Sequence, residues 1–271
     1  MRKFICNGKS FPLGERAYIM GILNVTPDSF SDGGRYNSLK TALKHTEEML
    51  INGADIIDIG AVSTRPFSEK VTEELEWERL SETLPAVKKE FPEAVISVDT
   101  TSPLVAEKSL LAGADIINDV SGIFLSDMAE VIKKYDCGWV VMHGGISVRK
   151  TEEIVSFPKG IVTDINDFFT EMLEKAENCG IPHSRICFDP GFGFSKTNEQ
   201  NRELLENFGK LRKNACALMC ALSRKRFIRE KAGDREEDIV RLTVEADRFA
   251  IENGADIIRV HDVKEHFERR F

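Results

Sequence analysis

Eight short apolar runs, each followed by a segment of helical character, recur along this chain, and that alternation limits its architecture more than any other feature. The runs are AYIMGIL (17–23), DIIDIG (55–60), AVISVD (94–99), DIINDV (115–120), GWVVMH (138–143), RICFDP (185–190), CALMCAL (216–222) and DIIRVH (256–261). Helical stretches are expected over 38–54, 73–90, 102–114, 126–135, 164–180, 201–213 and 236–255, with a short helix at the end of the chain. The runs show little period-two alternation, so they fit strands covered on both faces, as a parallel sheet between helices requires. Eight such units in about 250 residues match a closed (β/α)8 TIM barrel better than an open doubly wound sheet. No linker or low-complexity run marks a second domain, so residues 1–271 are expected to form one barrel domain. Ahead of it, FICNGKSF places Asn7-Gly8 between two β-prone runs, which predicts a short N-terminal β-hairpin.

The phrase GADII occurs at 53–57, 113–117 and 254–258, and each copy is followed by a different polar ending. Glycine suits the end of a helix and Ile-Ile the entry to a barrel wall, so the phrase reads as a repeated helix-to-strand joint. The endings then fall at the C-terminal ends of strands, where barrels of this type carry their chemistry. Collected on that logic, the strand ends offer Asn24, Thr64, Arg65, Asp99, Asn118, His143, Asp189, Ser223-Arg224-Lys225, Arg259 and His261. Carboxylates, amides and cations dominate, with no cysteine nucleophile, no H-E-x-x-H and no Walker-type loop. Such a rim suits something flat and polar beside something anionic. Arg259 and His261 alternate along one strand and so share a face.

A net charge of −8 argues against a nucleic-acid surface, while leaving room for a local cationic pocket. The six cysteines form no C-x-x-C pair and several lie in apolar runs, so they read as buried thiols in a reducing compartment. The N-terminus lacks the apolar core of a signal peptide and no stretch approaches the length of a membrane span, which places the chain in the cytoplasm.

The segments MGILNVTPDSFSDGG (20–34), STRP (63–66), SVDT (97–100), AGADIIND (112–119), MH (142–143), DPGFGFSKT (189–197), SRK (223–225) and RVHDV (259–263) resemble the dihydropteroate synthase family, in order and over nearly the whole chain. The resemblance implies a (β/α)8 fold and a transferase. Its reaction joins 6-hydroxymethyl-7,8-dihydropterin diphosphate to p-aminobenzoate, giving 7,8-dihydropteroate and pyrophosphate in folate synthesis. Mg2+ is the implied cofactor, with Asn24 as its ligand, and a homodimer the implied assembly.

By the same resemblance, Asp99, Asn118, Asp189, Phe194 and Lys225 hold the pterin, Asp189 accepting two N–H donors side by side. Thr64, Arg259 and His261 meet the diphosphate. Asp32, in the first long loop, stabilises the cation formed as diphosphate departs, and Arg65, in the second, helps close the site and meets pyrophosphate or the p-aminobenzoate carboxylate. Helix capping is the structural alternative for Asp99 and Asp189, since both precede helical stretches.

The departures from the family cluster near the expected acceptor. Gly60-Ala61-Val62 replaces Gly-Gly-Glu, Phe67 replaces a glycine after STRP, Arg226 replaces a serine after SRK, and Gly144-Gly145 follow MH. Arg226 stands where the family holds the p-aminobenzoate carboxylate and can either strengthen that contact as a bidentate partner or obstruct it by bulk, so an altered response to sulfonamides is expected. Glu245, Asp247 and Arg248 stand where the family helix is apolar or small, which is expected to remodel a helix-mediated dimer interface. Two alternatives share the pterin contacts: a methyltransferase acting between a methylated folate and a corrinoid protein, and a non-catalytic pterin-binding paralogue. The methyltransferase has no need of NVTPDSF, SRK or the Arg259–His261 pair, the acceptor-side departures keep the paralogue open, and neither releases pyrophosphate.

Overall fold

The computed structural model describes residues 2–25, 34–62, 71–144, 156–211, 215–233 and 235–268. An antiparallel ribbon of β1 (Lys3–Cys6) and β2 (Lys9–Pro12) comes first, turning at Asn7 and Gly8 with φ of 46° and 76°. Eight strands follow: β3 (Tyr18–Asn24), β4 (Ile56–Gly60), β5 (Val95–Asp99), β6 (Ile116–Asp119), β7 (Gly138–Met142), β8 (Ile186–Asp189), β9 (Ala217–Cys220) and β10 (Ile257–Val260). All pair in parallel in chain order, and β10 pairs with both β9 and β3, so the barrel closes. This is the expected TIM barrel with its N-terminal hairpin.

The helices are α1 (Gly34–Ile51), α2 (Glu73–Glu90), α3 (Pro103–Leu111), α4 (Ser126–Tyr135), α5 (Ile161–Asn178), α6 (Asn198–Glu206), α7 (Arg226–Ala232), α8 (Glu236–Glu252) and α9 (Val263–Phe267). Seven residues long, α7 was not foreseen. Its N-cap is Lys225 and its sequence, RFIREKA, is too short and charged to announce itself by periodicity. The stretch expected as one helix over 201–213 instead divides into α6 and a 3-10 turn at Phe208–Leu211.

Apolar side chains fall into two layers. One lies between barrel wall and helices and includes Ile19, Ile57, Ile96, Ile117, Trp139 and Leu218. The other fills the lower lumen with the inward residues Tyr18, Met20, Ile56, Val95, Ile116, Val140, Cys187, Met219 and Ile257. Phe4 and Cys6 of the ribbon belong to this second layer and are fully buried, so the ribbon plugs the N-terminal mouth.

The three GADII copies share one geometry. Gly53, Gly113 and Gly254 take φ of 94°, 106° and 102°, a region open to glycine without strain, and each ends a helix. Each aspartate then clasps a neighbouring strand: its N–H donates to a carbonyl (Asp55 to Ile19, 2.8 Å; Asp115 to Ile96, 2.7 Å; Asp256 to Leu218, 2.7 Å). Its carboxylate accepts from the N–H of that same residue, at 2.9, 2.9 and 3.0 Å. A cation from the N-terminal segment completes each clasp: Arg16 on Asp55 at 2.6 and 2.8 Å, Lys9 on Asp115 at 3.2 Å and Arg2 on Asp256 at 3.4 Å. The phrase is therefore more than a joint, since its aspartates bolt the plug to the barrel floor.

On α8, Asp247 does not lie on an outer surface as the expectation for a remodelled interface required. It is fully buried, with Oδ2 3.0 Å from His266 Nε2 on α9. Glu245 and Arg248 do face outward, in i,i+4 pairs with Arg241 (2.8 Å) and Glu252 (3.0 Å). Among the described residues no helix is long and apolar enough to cross a membrane, and the six cysteines are free thiols, five of them buried.

Candidate active site

Going up the lumen, the inward positions change from apolar to polar: Ile56 to Asp58 on β4, Val95 to Ser97 to Asp99 on β5, Ile116 to Asn118 on β6, Cys187 to Asp189 on β8, and Ile257 to Arg259 on β10. Strand register sets Asn24, Gly60, Asp99 and Asn118 side by side across β3 to β6. The C-terminal mouth is thus ringed with polar side chains held by the most rigid part of the molecule.

Arg259 is the hub. Its Nε donates to Asp58 Oδ2 at 2.6 Å and its Nη2 to Asp99 Oδ2 at 3.0 Å. Asn118 Nδ2 donates to the same Asp58 oxygen at 3.1 Å. Burial lifts the Asp99 carboxyl to about 7; Arg259 opposes the shift and the neighbouring Asp58 adds to it. The sequence does not mark Asp58 as a site residue, because a carboxylate in the middle of DIIDIG gives no sign of whether it faces the lumen or the helices. Its Oδ1 and the Oδ1 of Asn118 are buried and, among the described residues, have no hydrogen-bond partner.

Across the lumen, Asp189 is buried and its Oδ1 accepts from the Gly191 N–H at 2.8 Å; burial raises its pKa. Neither Asp99 nor Asp189 caps a helix: Ser102 caps α3, and Thr197 caps α6 in a capping box with Gln200. Lys225 Nζ lies 4.2 Å from the centre of the Phe194 ring, a cation–π contact. Burial, with repulsion from Arg259, brings the Lys225 ammonium down to about 8, against the pull of Asp189 and Asp99.

The loop carrying Phe194 is pinned by Lys196, which sequence reasoning did not single out. Its Nζ donates to the carbonyls of His143 (3.1 Å), Gly191 (2.9 Å) and Phe194 (3.2 Å), and burial lowers its pKa to about 7. Gly191 has φ of 70°, and a Cβ there would stand 2.1 Å from the His143 carbonyl oxygen, so only glycine permits this approach. A lysine inside a polar motif looks solvated in sequence, so nothing announced this one. His143 packs edge-on against Phe168 with ring centres 5.0 Å apart, and burial depresses it to about 3, leaving it neutral.

The SRK segment divides. Ser223 Oγ meets His261 Nδ1 at 3.0 Å, while Arg224, at φ of 58°, grips Asp262 at 2.6 and 3.0 Å and Glu236 at 2.5 Å. Only Lys225 turns to the cluster. Burial and the Arg259 charge bring His261 to about 4, so at neutral pH it is an uncharged partner to Arg259. Arg226 is exposed at the first position of α7. Asp32, Thr64, Arg65 and Phe67 lie outside the described residues.

Among the described residues no cluster of three or more His, Cys, Asp or Glu could hold a metal. Asn24 stands exposed at the end of β3, its Oδ1 beside Gly60. One carboxamide oxygen is a hard donor of the kind Mg2+ accepts, and it fits an ion held mainly by substrate phosphates. The rim as a whole sets two cations beside two partnerless acceptors, which suits a flat ring with an N–H edge joined to a polyanion.

The family described as pterin binding enzyme matches residues 20–261. A dihydropteroate synthase from Clostridium beijerinckii is 40% identical over 260 residues, covering 95% of this chain and 93% of its own. The solved dihydropteroate synthase of Clostridium difficile, in the presence of pteroic acid, superposes with a TM-score of 0.88 at 39% identity, covering 95% of both chains. That of Xanthomonas albilineans with 4-aminobenzoic acid gives 0.89 at 33% identity, covering 98% of this chain and 95% of its own.

Proposed function

The chain belongs to the pterin-binding enzyme family as a dihydropteroate synthase, and from that premise we infer how its rim divides the work. The reaction is the transfer of a dihydropterin methylene from diphosphate to the amine of p-aminobenzoate, giving dihydropteroate and pyrophosphate in the folate pathway. The observation that carries the assignment of roles is the hub of Arg259 with Asp58, Asp99 and Asn118, set opposite Asp189 and Lys225.

Asp189 takes the two N–H donors of the pterin's pyrimidine edge, its burial strengthening a bond that water would otherwise compete for. Asn118 offers its Oδ1 acceptor to a further ring N–H, Asp99 closes the same edge, and Lys225 donates to the ring carbonyl or nitrogen. Phe194 forms a wall of the pocket against Lys225. Arg259, His261 and Thr64 receive the diphosphate, with Asn24 as the protein ligand to Mg2+, which supplies positive charge to the phosphate oxygens.

The C–O bond to diphosphate breaks with its electron pair going to the leaving oxygen, and a cation delocalised over the pterin forms at the methylene. Arg259 meets the first charge and Asp32 the second. The neutral arylamine adds through its lone pair, forming the C–N bond, and then loses a proton to water. Arg65 helps close the site, and Arg226 meets the acceptor's carboxylate, a role its exposure at the start of α7 leaves open to it. We place the enzyme in the cytoplasm as a homodimer that acts on small molecules and on neither nucleic acid nor membranes.

Release of pyrophosphate from the pterin diphosphate, with p-aminobenzoate present, tests the reading. Release that depends on the acceptor and vanishes in Asp189→Ala is expected; pterin binding with no release would overturn it. An Arg226→Ser variant inhibited at the same sulfonamide concentration as the parent would refute the role given to Arg226.

A further inference from the structure

Asp58 lies in the lumen on β4, fully buried, one residue layer below the rim. Two strands to one side is Asn118 on β6, and two strands to the other is Arg259 on β10, so Asp58 sits at the middle of a five-strand arc. A single oxygen, Oδ2, accepts from both. Those two residues serve opposite parts of the proposed substrate, the ring and the diphosphate, and the proposal below rests on that reading.

An ionised carboxylate only accepts hydrogen bonds, so the Asn118 amide must turn its NH2 toward Asp58. That leaves Asn118 Oδ1 as an acceptor facing elsewhere, buried and without a partner among the described residues. A buried acceptor without a donor is costly, and a ligand N–H removes that cost, whereas a ligand presenting a lone pair there is rejected. The guanidinium is fixed in the same way. With Nε on Asp58 and Nη2 on Asp99, its plane is set and its remaining donor edge is aimed by carboxylates that do not themselves reach the phosphates.

We propose that Asp58 is a positioning residue that joins the two halves of the site, fixing the acceptor face of Asn118 for the pterin edge and the donor face of Arg259 for the diphosphate. It acts through these two side chains and does not touch the substrate. The hold on Asn118 makes it a determinant of specificity for rings with an N–H at that position.

The test separates the halves by using two probes on the full chain: 6-hydroxymethylpterin, which lacks the anion, and inorganic pyrophosphate with Mg2+, which lacks the ring. Asn118→Ala is expected to weaken the pterin alone and Arg259→Ala pyrophosphate alone. Asp58→Ala should weaken both, each by roughly tenfold or more, the size seen when a residue orienting a ligand-binding side chain is removed. Asp58→Asn keeps an oxygen able to accept from both donors, so it should recover part of both affinities. In Asp58→Ala/Asn118→Ala, pterin binding should be no weaker than in Asn118→Ala, because Asp58 acts through Asn118. An Asp58→Ala protein that is folded and binds both probes within twofold of the parent, or loses only one of them, overturns the proposal. Should Asp58→Ala fail to fold, Asp58→Asn decides it: affinities unchanged for both probes overturn it, and both lowered support it. Failure of the parent chain to bind either probe would instead break the functional reading.

Discussion

The two mouths of the barrel use the same chemistry, carboxylates beside cations, to opposite ends. At the floor, Asp55, Asp115 and Asp256 each accept from a strand N–H and a cation of the N-terminal segment. At the rim and one layer below it, Asn118 and Asp58 keep buried acceptor atoms that have no partner among the described residues, and Asp99, Asp189 and Lys225 are held away from their ordinary pKa values by burial. A satisfied buried pair holds a fold together, while an unsatisfied one costs stability until a ligand completes it. The difference between the mouths is therefore one of completeness, and it says where a ligand belongs without any ligand being seen.

Variants at equivalent residues should break the two mouths in different ways. Asp189→Ala should lower kcat/KM by about 10²- to 10³-fold, the cost of leaving ligand N–H groups unpaired in a dry site. Its stability should stay within about 1 kcal/mol of the parent, since the desolvated carboxyl it removes was a burden to the fold. Asp115→Ala should do the reverse. It leaves the Ile96 N–H without its acceptor and Lys9 and Lys88 without their counter-charge, costing about 3 kcal/mol of stability with turnover per folded molecule unchanged. Denaturant titration alongside steady-state kinetics separates them; a large stability loss in Asp189→Ala would erase the contrast.

The same contrast explains what the sequence disclosed. Apolar runs and glycine stops act locally, so the eight strands were found to within a residue or two, as DIIDIG and GWVVMH show against β4 and β7. The strand-end rule then collected Asp99, Asn118, Asp189 and Arg259, and the structure sets them around one lumen. What stayed hidden depends on contacts distant in sequence. Asp58 and Arg259 are 201 residues apart, and Lys196 is a strut only because three carbonyls happen to converge on it. The GADII aspartates were legible as a repeat, but not as clasps, because their cations come from the N-terminal segment, 39, 106 and 254 residues away in the chain. Asp247 misled for the same reason: a charge on a helix reads as surface until His266 is seen behind it.

Lys225 sharpens the comparison through pH. In the role proposed for it the charged form is the donor, and with a pKa of about 8 that form is lost as pH rises through 8. Activity as kcat/KM should then fall about tenfold per pH unit above that point, and Lys225→Arg should abolish the limb. Stability moves the other way. The unfolded lysine titrates near the ordinary value of 10.5, so between 8 and 10.5 the unfolded chain holds more protons and this group's contribution to stability rises with pH. Lys225→Met should accordingly be more stable than the parent at pH 7, with the gap closing by pH 10.5. A flat activity profile from pH 7 to 10 would mean that the ammonium is not the donor.

The smallest effect is expected where the floor is redundant. Lys9 and Lys88 both reach Asp115 Oδ2, at 3.2 and 3.4 Å, and both donate to the Ala94 carbonyl, at 3.2 and 2.9 Å. Either can hold the carboxylate alone, so Lys9→Ala should cost only about 0.5 kcal/mol, as partly exposed ion pairs do. Removing both should cost more than the sum of the single variants, because only then is Asp115 buried without a counter-charge. The rim has no such reserve. Among the described residues Arg259 is the only cation within ion-pairing distance of Asp58 and Asp99, and a site that must hand its charge to a substrate cannot have a second cation already holding the carboxylates. Additive effects of Lys9→Ala and Lys88→Ala would show that the floor, too, depends on each of its cations separately.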